Sequence, residues 1–362
     1  MRLDHLWVED FRSYRHADLE LPPGLLVVTG VNGSGKTNLL EAAGWLARLG
    51  SFRGAPPEAM VRVGADRAVV RGRGRRGPRE LLVETEITPR GRGRVSVNRQ
   101  PLRRVSDLAD LLAVSVFTPD DLELVKGGPA ARRRYLDDEL AAHDARHAAA
   151  RRDLERIVRQ RNALLRSAGG RLGASEATTL DVWDERLAVV GEAHVAARRR
   201  LVADLGGPVS SAYRRVAGGE GTVSLAYVTS WPDGQTLAEA LGAGRDQDVR
   251  RGASLVGPHR DELDLAVDGL AARLRASQGE QRSLALALRL GAHTLATERA
   301  GEAPLLLLDD VFSELDPGRA EALLTHLPPG QVVLTTAGPL PPGAEPERVL
   351  RLAGGRLEEA RA

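Results

Sequence analysis

The pattern of apolar and polar positions changes along the chain and divides it into regions with different predicted structures. Near the N-terminus, "LDHLWVEDF" and "GLLVVTG" predict strands, and "KTNLLEAAGWLARLG" predicts a helix closed by Gly50. Between residues 60 and 98, short alternating runs broken by Gly and Pro predict an antiparallel sheet. The apolar run "LLAVSVFTP" predicts one more buried strand before the pattern changes.

Helical spacing dominates from about residue 129 to residue 216, where the chain is rich in Ala, Arg, Leu and Glu. The segment "RSAGGRLGASE" separates two apolar stripes, which predicts two long helices able to pair as an antiparallel hairpin. The stripes consist of Leu154, Ile157, Val158, Leu164 and Leu165, and of Trp183, Leu187, Val190 and Val195. A strand in "TVSLAYVTSW" and another helix follow.

An α/β pattern returns at about residue 252 and continues to the end of the sequence. We therefore predict an α/β lobe formed by residues 1–118 and 252–362, interrupted by a mainly helical lobe at residues 119–251. A chain of 362 residues is long enough for two such domains, and its apolar content of 42% is ordinary for a globular protein.

Composition excludes several kinds of site. The chain has no cysteine, which excludes disulfides, zinc–thiolate sites and cysteine catalysis, and its 8 histidines show no metal-ligand spacing. No apolar run reaches the roughly 18 to 20 residues of a membrane span. The N-terminal "MRLDHLWVEDFRSY" lacks the apolar core of a signal peptide. We therefore expect a cytoplasmic protein without a membrane partner.

The positive charge of the chain is unevenly distributed and is almost all arginine. The formal net charge is +2, and Lys36 and Lys126 are the only lysines among the 51 basic residues. Residues 67–104 contain 12 Arg and 3 acidic residues. A general arginine bias or a solvated β-hairpin face would explain this stretch, but it is also a candidate surface for nucleic acid. The candidate DNA contacts in it are Arg73, Arg75 and Arg76.

The segment "GVNGSGKT", residues 30–37, fits the phosphate-loop pattern G-x-x-x-x-G-K-T between a predicted strand and a predicted helix. Its glycines let successive backbone N–H groups face one phosphate. In this pattern Lys36 contacts the β- and γ-phosphates of a nucleotide and the Thr37 hydroxyl binds Mg²⁺. A glycine turn before a helix is the structural alternative. The predicted ATP-binding residues are Gly30, Val31, Asn32, Gly33, Ser34, Gly35, Lys36, Thr37 and Asn38.

Two aspartates end the apolar run in "PLLLLDDVFSELD", residues 304–316. The short apolar run is typical of a central parallel strand, and α/β sheets bind ligands at the carboxyl ends of such strands. We predict Asp309 as a Mg²⁺ partner, together with Thr37, and Asp310 as the catalytic group that orients or deprotonates the attacking water. Capping of the next helix is the structural alternative.

The segment "SQGEQRSLALAL", residues 277–288, starts a helix with a polar run that contains a glycine. Helix starts carry free backbone N–H groups and a positive dipole end, which favour an anion. Nothing close in the sequence supplies that anion, and a plain N-cap at Ser277 would explain the segment on its own.

The three motifs "GVNGSGKT", "SQGEQR" and "LLLLDDVFSELD" follow one another in the order found in ABC-type ATPases, and together they resemble that class. The helical insertion is similar to the branch that contains the SMC, Rad50 and RecF proteins. Within this branch, three further segments resemble the RecF family of DNA replication and repair proteins. They are "LWVEDFRSYRHADLELPPGLLVVTGVNGSGKTNLLEA", "FTPDDLELVKGGPAARRRYLD" and "SLVGPHRDEL". The resemblance extends over nearly the whole chain and is thinnest at about residues 140–250.

The resemblance implies an α/β fold, an ABC-type ATPase head with a mixed central sheet, flanking helices and an antiparallel β subdomain, interrupted by a mainly helical lobe. It implies a weak ATPase that uses ATP and Mg²⁺ as a switch. ATP would drive a head-to-tail homodimer in which the signature of one subunit caps the nucleotide of the other. The signature residues are Ser277, Gln278, Gly279, Glu280 and Gln281. The dimer would clamp DNA at gaps or junctions of single and double strands and recruit the mediator RecR for RecA loading.

The sequence departs from the ABC-type pattern in ways that make slow hydrolysis plausible. The acidic strand ends in Asp-Asp where these enzymes usually have Asp-Glu. The usual switch histidine is absent, and "QVVLTTAG" offers Thr335 and Thr336. The usual Q-loop glutamine is absent from "SVFTPDDL", where Asp120 or Asp121 would stand in.

Two other sets of residues have weaker assignments. By family analogy Arg12 and Arg53 approach the nucleotide, although they could equally be surface arginines. In "GPHRDE" the residues His259, Arg260 and Asp261 could form a hinge between lobes or a dimer contact, and no chemical role follows from the sequence.

Two alternative functions share part of this pattern. An ATP-binding subunit of a membrane transporter has the same loop and signature, but the segments "VEDFRSY" and "GPHRDEL" speak against it. A Rad50-like tether would need a much longer coiled coil than this insertion provides.

Overall fold

A computed structural model describes residues 2–90, 93–102, 108, 111–219 and 221–360. By internal contacts the chain divides into two compact, discontinuous units. The first unit comprises Met1–Leu122, Gly207–Gly221 and Ser277–Ala362. The second comprises Glu123–Gly206 and Thr222–Ala276.

The described strands form three sheets, with the orders β2-β1-β4-β5-β6-β7, β15-β14-β3-β13-β12-β8 and β11-β10-β9. The strands are β1 (Arg2–Phe11), β2 (Tyr14–Glu20), β3 (Leu25–Thr29), β4 (Ala68–Arg76), β5 (Arg79–Ile87), β6 (Arg94–Val97), β7 (Gln100–Pro101), β8 (Val114–Phe117), β9 (Val223–Val228), β10 (Glu262–Val267), β11 (Leu270–Ala271), β12 (Leu305–Asp309), β13 (Val332–Thr336), β14 (Arg348–Ala353) and β15 (Arg356–Glu359).

The described helices include the long elements expected between the strand-rich regions. They are α1 (Lys36–Arg48), α2 (Glu123–Lys126), α3 (Pro129–His143), α4 (Ala145–Ser167), α5 (Ala174–Val216), α6 (Leu237–Arg251), α7 (Ala272–Arg275), α8 (Gln278–Ala300) and α9 (Pro317–Thr325). Short 3-10 helices occupy Pro57–Met60, Pro119–Leu122 and Val311–Glu314.

The central sheet of the first unit positions the candidate site. Strands β8, β12, β13, β3 and β14 run parallel to their neighbours, and β15 pairs antiparallel with β14 at one edge. All five residues of β12 are buried, as its apolar sequence predicts for a central parallel strand. The parallel direction brings the carboxyl end of β12 beside the ends of β13 and β3. The acidic residues and the glycine-rich loop therefore share one edge of this sheet.

The other sheet of the first unit is antiparallel, as predicted for residues 60–98, and also contains β1 and β2. Helix α1 contacts both β4 of this sheet and β12 of the parallel sheet. Gly72 allows this approach, because a Cβ atom there would meet the side chains of Leu46 and Leu3. Helix α1 ends at Arg48, two residues before Gly50, because Leu49 adopts a left-handed conformation with φ of 48°.

The second unit buries the two apolar stripes predicted for the long helices. Its main core contains Leu154 and Ile157 of α4 with Leu187 and Val195 of α5, and Trp231 packs with them. Leu165 of α4 belongs to a smaller cluster. The two helices therefore pack through the faces that their periodicity predicts.

The division into units differs from the expected boundaries. Residues 207–221 belong to the first unit, and residues 252–276 belong to the second. The second difference arises because β10 pairs antiparallel with β9, from Glu262 opposite Val228 to Val267 opposite Val223. Strand pairing of this kind joins segments that are distant in sequence, and the local pattern at residue 252 does not reveal it.

Candidate nucleotide-binding site

The loop "GVNGSGKT" connects β3 to α1 and closes around the ammonium group of Lys36. Lys36 is 5% exposed, and its Nζ donates hydrogen bonds to the carbonyl oxygens of Gly30 (2.6 Å) and Val31 (3.1 Å). Gly33 and Gly35 have φ angles of 79° and 110°, which favour glycine. The local sequence thus produces the curled backbone that a phosphate loop requires.

Features of the loop fit an anionic ligand. The Oγ atom of Ser34 is buried and has no hydrogen-bond partner among the described residues. A Cβ atom at Gly30 would lie 2.8 Å from the carbonyl oxygen of Leu352, and one at Gly35 would lie 2.8 Å from Ser13 Oγ. The loop therefore combines a cation and an unused hydroxyl donor with backbone that only glycine permits, which suits a phosphate group.

Ser13, in the turn between β1 and β2, and Tyr14, at the start of β2, hold this loop, and the sequence analysis identified neither residue. The hydroxyl of Tyr14 donates to the carbonyl oxygen of Gly35 (3.0 Å). The amide of Asn38 donates to Ser13 Oγ (2.9 Å). The sequence contains no local signal for these pairs, because the two segments become neighbours only through the packing of α1 against the antiparallel sheet.

Arg12 pairs with Glu41, one helical turn after Thr37. Its Nε and Nη2 donate to the Glu41 carboxylate at 2.8 and 3.0 Å, and Glu41 is fully buried. Ser51 also hydrogen-bonds this carboxylate and accepts a bond from the backbone N–H of Arg53 (3.1 Å). The structure therefore places Arg12 and the Arg53 loop beside α1, with Glu41 as the group that fixes both.

Asp309 lies at the carboxyl end of β12 and touches the phosphate loop directly. Thr37 Oγ1 donates to its carboxylate, 2.8 and 3.0 Å from the two oxygens, and Thr335 Oγ1 donates to it at 2.7 Å. Burial raises the pKa of Asp309, and the two threonine hydrogen bonds oppose this effect. Thr335 thus supports the acidic strand end, while the Thr336 hydroxyl bonds the carbonyl oxygen of Gly338 (3.3 Å).

Asp310 is half-buried and adopts a left-handed conformation with φ of 45°. Its backbone N–H donates to Thr335, and its Oδ1 accepts a weak hydrogen bond from the N–H of Ala337 (3.3 Å). The side chain therefore remains largely available at the same sheet edge as Asp309 and the phosphate loop.

The oxygen atoms near Thr37 fit a magnesium ion. Mg²⁺ prefers oxygen ligands and is usually held by a few protein groups, with phosphates and water completing its shell. The Thr37 hydroxyl and the Asp309 carboxylate are adjacent oxygen donors of this kind. The oxygen atoms of Thr37 and Asp309 are therefore suitable ligands for the predicted Mg²⁺ ion.

The signature helix α8 starts with a capping box. The hydroxyl of Ser277 accepts from the N–H of Glu280 (3.3 Å), and the Glu280 carboxylate accepts from the N–H of Ser277 (2.6 Å). A Cβ atom at Gly279 would clash with the guanidinium of Arg319, which itself pairs with Asp316. The helix start is thus a satisfied N-cap, and the glycine permits an arginine to lie against it. Gln278 begins the helix, and Gln281 is buried.

The two proposed substitutes for the Q-loop glutamine have different environments. Asp121 is buried, accepts from the N–H of Thr118 (2.8 Å) and pairs with Arg289 (2.7 Å). Asp120 is exposed. Asp121 therefore has a structural partner, and Asp120 is the more accessible of the two.

The predicted arginine surface is partly neutralised. Arg73 and Arg75 point to the solvent from β4, and Arg73 lies 5.8 Å above the ring of Trp7. Arg75 pairs with Asp4 (3.2 Å). Strand alternation places Arg76 on the opposite face, so the three candidates do not form one patch. Residues 91, 92, 103 and 104 of the arginine-rich stretch lie outside the described residues.

Comparisons with known proteins agree with this fold and loop. A family model described as "RecF/RecN/SMC N terminal domain" matches residues 2–332. The DNA replication and repair protein RecF of Kineococcus radiotolerans is 46% identical over 362 residues, with 93% of each chain covered. RecF of Frankia alni is 46% identical over 353 residues, again with 93% of each chain covered.

Solved structures give the same result. The recombination mediator protein RecF of the RecFOR pathway, determined as RecF-ATP, has a TM-score of 0.87 and 27% identity, and 99% of this chain and 97% of that chain are covered. An SMC head bound to the C-winged helix domain of ScpA has a TM-score of 0.60 and 15% identity, with 99% and 97% of the chains covered, and supports the fold alone.

The fold and the loop therefore define an ATPase head of the RecF/RecN/SMC class, which confirms the predicted α/β fold. The chain belongs to the RecF family of DNA replication and repair proteins. The comparisons give no support to the transporter alternative. In the part of the chain that the structure describes, no helix has the length and apolar character needed to cross a membrane.

Proposed function

We propose that this RecF-family chain binds ATP with Mg²⁺ at residues 30–38 and hydrolyses it slowly as a conformational switch. The observation that carries the proposal is the loop closed around Lys36, with Asp309 in contact with Thr37. The structural relative determined as RecF-ATP supports ATP as the nucleotide.

The residues of the nucleotide-binding site, at the carboxyl ends of the parallel strands, have distinct proposed roles. The Lys36 ammonium exchanges its bonds to loop carbonyls for the β- and γ-phosphates. Thr37 and Asp309 would hold Mg²⁺, which when bound neutralises charge on the phosphates. Asp310 orients or deprotonates the attacking water. The short Asp310 side chain is consistent with slow turnover.

The proposed active form is a head-to-tail homodimer. The start of α8 in one subunit, from Ser277 to Gln281, caps the γ-phosphate held by the phosphate loop of the other subunit. The positive end of the helix dipole favours this anion. Because each site needs both subunits, ATP would link dimer formation to nucleotide binding.

The proposed substrate of the dimer is DNA at gaps or at junctions of single and double strands. Binding through arginines and phosphates predicts a strong salt dependence and little sequence preference. Partnership with the mediator RecR and promotion of RecA loading belong to the same proposal. They are supported by the relative named as a recombination mediator of the RecFOR pathway.

Mutation of Ser277 tests the composite site. Ser277→Arg puts a long side chain where the partner's nucleotide is expected and leaves the phosphate loop of the same subunit unchanged. We expect normal ATP binding by the monomer but no ATP-dependent dimer in light scattering. Ser175→Arg, at an exposed position near the start of α5, is the matched control.

Mixing two variants sharpens this test. A Lys36→Ala subunit and a Ser277→Arg subunit together retain one complete composite site. We expect the mixture, and neither variant alone, to recover partial dimerisation with ATP. A normal ATP-dependent dimer of Ser277→Arg alone would refute the role in trans and leave "SQGEQR" as a helix cap.

A further inference from the structure

Two segments that resemble the RecF family, but have no role in the nucleotide site, meet in the second unit. They are "GGPAARRRYLD" at the start of α3 and "GPHRDEL" before β10. Arg132 forms a two-pronged ion pair with Glu262 (2.8 and 2.7 Å). Arg133 Nη1 donates to the backbone carbonyl of Asp261 (2.8 Å). The pairing brings Arg133 next to Arg260, although the two are far apart in sequence.

The loop that carries Arg260 is held by its own backbone and side chains. The N–H of Arg260 donates to the carbonyl oxygen of Gly257 (2.8 Å), and its Nε donates to the carbonyl oxygen of Ser254 (3.2 Å). His259 Nε2 hydrogen-bonds the same carbonyl oxygen (3.1 Å). Arg260 as a residue is exposed, so its guanidinium is anchored at Nε but accessible to a ligand.

The carboxylates around these arginines are used elsewhere. Asp261 accepts from the Tyr227 hydroxyl (2.6 Å) and from the N–H of Ser230 (2.8 Å). Glu262 is paired with Arg132. Among the described residues, neither Arg133 nor Arg260 has a carboxylate oxygen within 4.0 Å. Arg133 of α3 and Arg260 of the loop therefore make side-chain hydrogen bonds to carbonyl oxygens only, among the described residues.

Like charges in this position favour an anion. Burial lowers the pKa of Arg133, and the positive charges of Arg198 and Arg260 lower it further. The carboxylates of Glu262 and Asp261 raise it, but they do not offset the lowering. Burial also lowers the pKa of His259, which favours its neutral form. The ion pairs of Arg132 with Glu262 and of Arg198 with Asp137 are neutral overall, so the remaining charges are the two guanidinium groups and the Asp261 carboxylate. Their sum is positive, which favours an anion at the guanidinium groups.

We propose that Arg133 and Arg260 form a binding site for a phosphate group of the DNA backbone. The inference rests on the proposed DNA binding and adds a contact in the second unit. Arg133 retains its Nε and Nη2 donors and Arg260 its two Nη groups, with no acceptor among the described residues. Guanidinium groups match phosphate oxygens through paired N–H donors, which suits these free ends.

The test uses the full chain, ATP and a fluorescent duplex with a single-stranded tail, followed by anisotropy at several salt concentrations. For the double variant Arg133→Ala with Arg260→Ala we expect about a tenfold loss of affinity. The slope of log affinity against log salt should fall by about one for each DNA phosphate that the variant no longer binds. Arg260→Lys should recover only part of the affinity, because it keeps the charge but not the paired donors.

Arg134→Ala is the control for the loss of one positive charge, as in Arg260→Ala alone, since Arg134 is exposed on the same helix as Arg133. It should leave affinity and slope nearly unchanged. If thermal melting shows that the double variant does not fold, the single variant Arg260→Ala still tests the proposal, because the Arg260 side chain is accessible.

The outcomes separate the two levels of the proposal. No DNA binding by the unmodified protein would overturn the proposed function itself. DNA binding that is unchanged in affinity and salt slope by the double variant would overturn this site alone. A second experiment measures the binding of inorganic phosphate by calorimetry. Phosphate binding that is abolished in the double variant, without any change in DNA affinity, would replace DNA by free phosphate as the ligand.

Discussion

The phosphate loop of the first unit and the buried ion pairs of the second unit use charged groups in different ways. In the loop, Lys36 is satisfied only by backbone carbonyls of the loop itself, and Ser34 Oγ has no partner among the described residues. In the second unit, buried arginines are paired with buried carboxylates. We call these groups together the ion-pair network. Its members are Asp137, Arg161, Asp184, His194, Arg198 and Asp248.

The ion-pair network connects helices and does not form a ligand-binding site. Arg161, which is fully buried, pairs with Asp184 and Asp248, each at 2.6 Å. Arg198 donates two bonds to Asp137 and one to the carbonyl oxygen of Pro258, all at 2.8 Å. In the network, carboxylates of the fold neutralise each arginine, whereas the Lys36 ammonium contacts carbonyl oxygens and no carboxylate among the described residues, which leaves its charge for an anionic ligand. An unpartnered polar atom does not by itself mark a ligand site, since Arg161 Nη2 is also buried without a hydrogen-bond partner among the described residues. Burial of charge alone does not distinguish the two.

The largest expected effect tests the proposed catalytic role of Asp310, at the carboxyl end of β12. Asp310→Asn should slow single-turnover ATP hydrolysis by about 10² to 10⁴-fold, because the water loses its carboxylate. ATP affinity should stay within a few-fold, since Lys36 and Thr37 remain. Asp264→Asn, at an exposed position in β10, is the control. Unchanged single-turnover hydrolysis would assign the catalytic role to another residue.

The next effect tests the ion-pair network. Arg161→Ala should lower the free energy of unfolding by about 3 to 5 kcal/mol, because two carboxylates lose a buried partner. Arg156→Ala on the same helix removes an exposed pair with Asp153 and should cost at most about 1 kcal/mol. Urea unfolding followed by tryptophan fluorescence measures both. Equal losses in the two variants would contradict the distinction between buried and exposed pairs.

Acid should destabilise the chain through two buried groups that titrate in different pH ranges. Burial lowers the pKa of His293, in the first unit, to about 4 from its ordinary 6.5. The unfolded chain therefore takes up this proton first, and stability present above pH 6.5 falls as the pH drops towards 4. The loss is about 3 kcal/mol for this group.

In the second unit, burial would raise the pKa of Asp137, but hydrogen bonds from His194 and Arg198 outweigh it and lower the pKa to about 2. The stability from this carboxylate is complete above its ordinary 3.8 and is lost towards pH 2, by about 2 kcal/mol. Urea unfolding measured against pH, compared between the unmodified chain and the variants His293→Gln and Asp137→Asn, assigns the two ranges. His259 of the second unit, whose pKa burial also lowers, adds to the loss below pH 6.5, so the variants distinguish the groups. An unchanged loss between pH 6.5 and 4 in His293→Gln would contradict the assignment.

The smallest expected effect compares the two lysines. Lys36→Ala should weaken ATP binding by about 10- to 100-fold, because the phosphates lose a charged hydrogen-bond donor. Lys126→Ala changes the net charge equally at an exposed position of the second unit and should leave ATP affinity unchanged. Titration with a fluorescent ATP analogue measures both. Similar affinities of the two variants would remove the assignment of the phosphate loop.

Local pattern determined much of the fold and the core of the site. The loop at 30–37 and the acidic end of β12 are continuous segments whose side chains and backbone conformations are set by neighbours in sequence. The same holds for the apolar stripes of α4 and α5, since helical periodicity alone defines their buried faces. The capping box of α8 is likewise complete within four residues.

Only the tertiary structure decided which distant residues meet. Pairing of β10 with β9 moved the unit boundary to residue 276, and the turn before β2 placed Arg12 on Glu41. Strand alternation separated Arg76 from Arg73, which linear charge counting had grouped together. Arg133 and Arg260 became neighbours in the same way, across more than a hundred residues of chain. The physical reason is that strand register and helix packing depend on the whole core, whereas a sequence motif records only the part of a site made by one continuous segment.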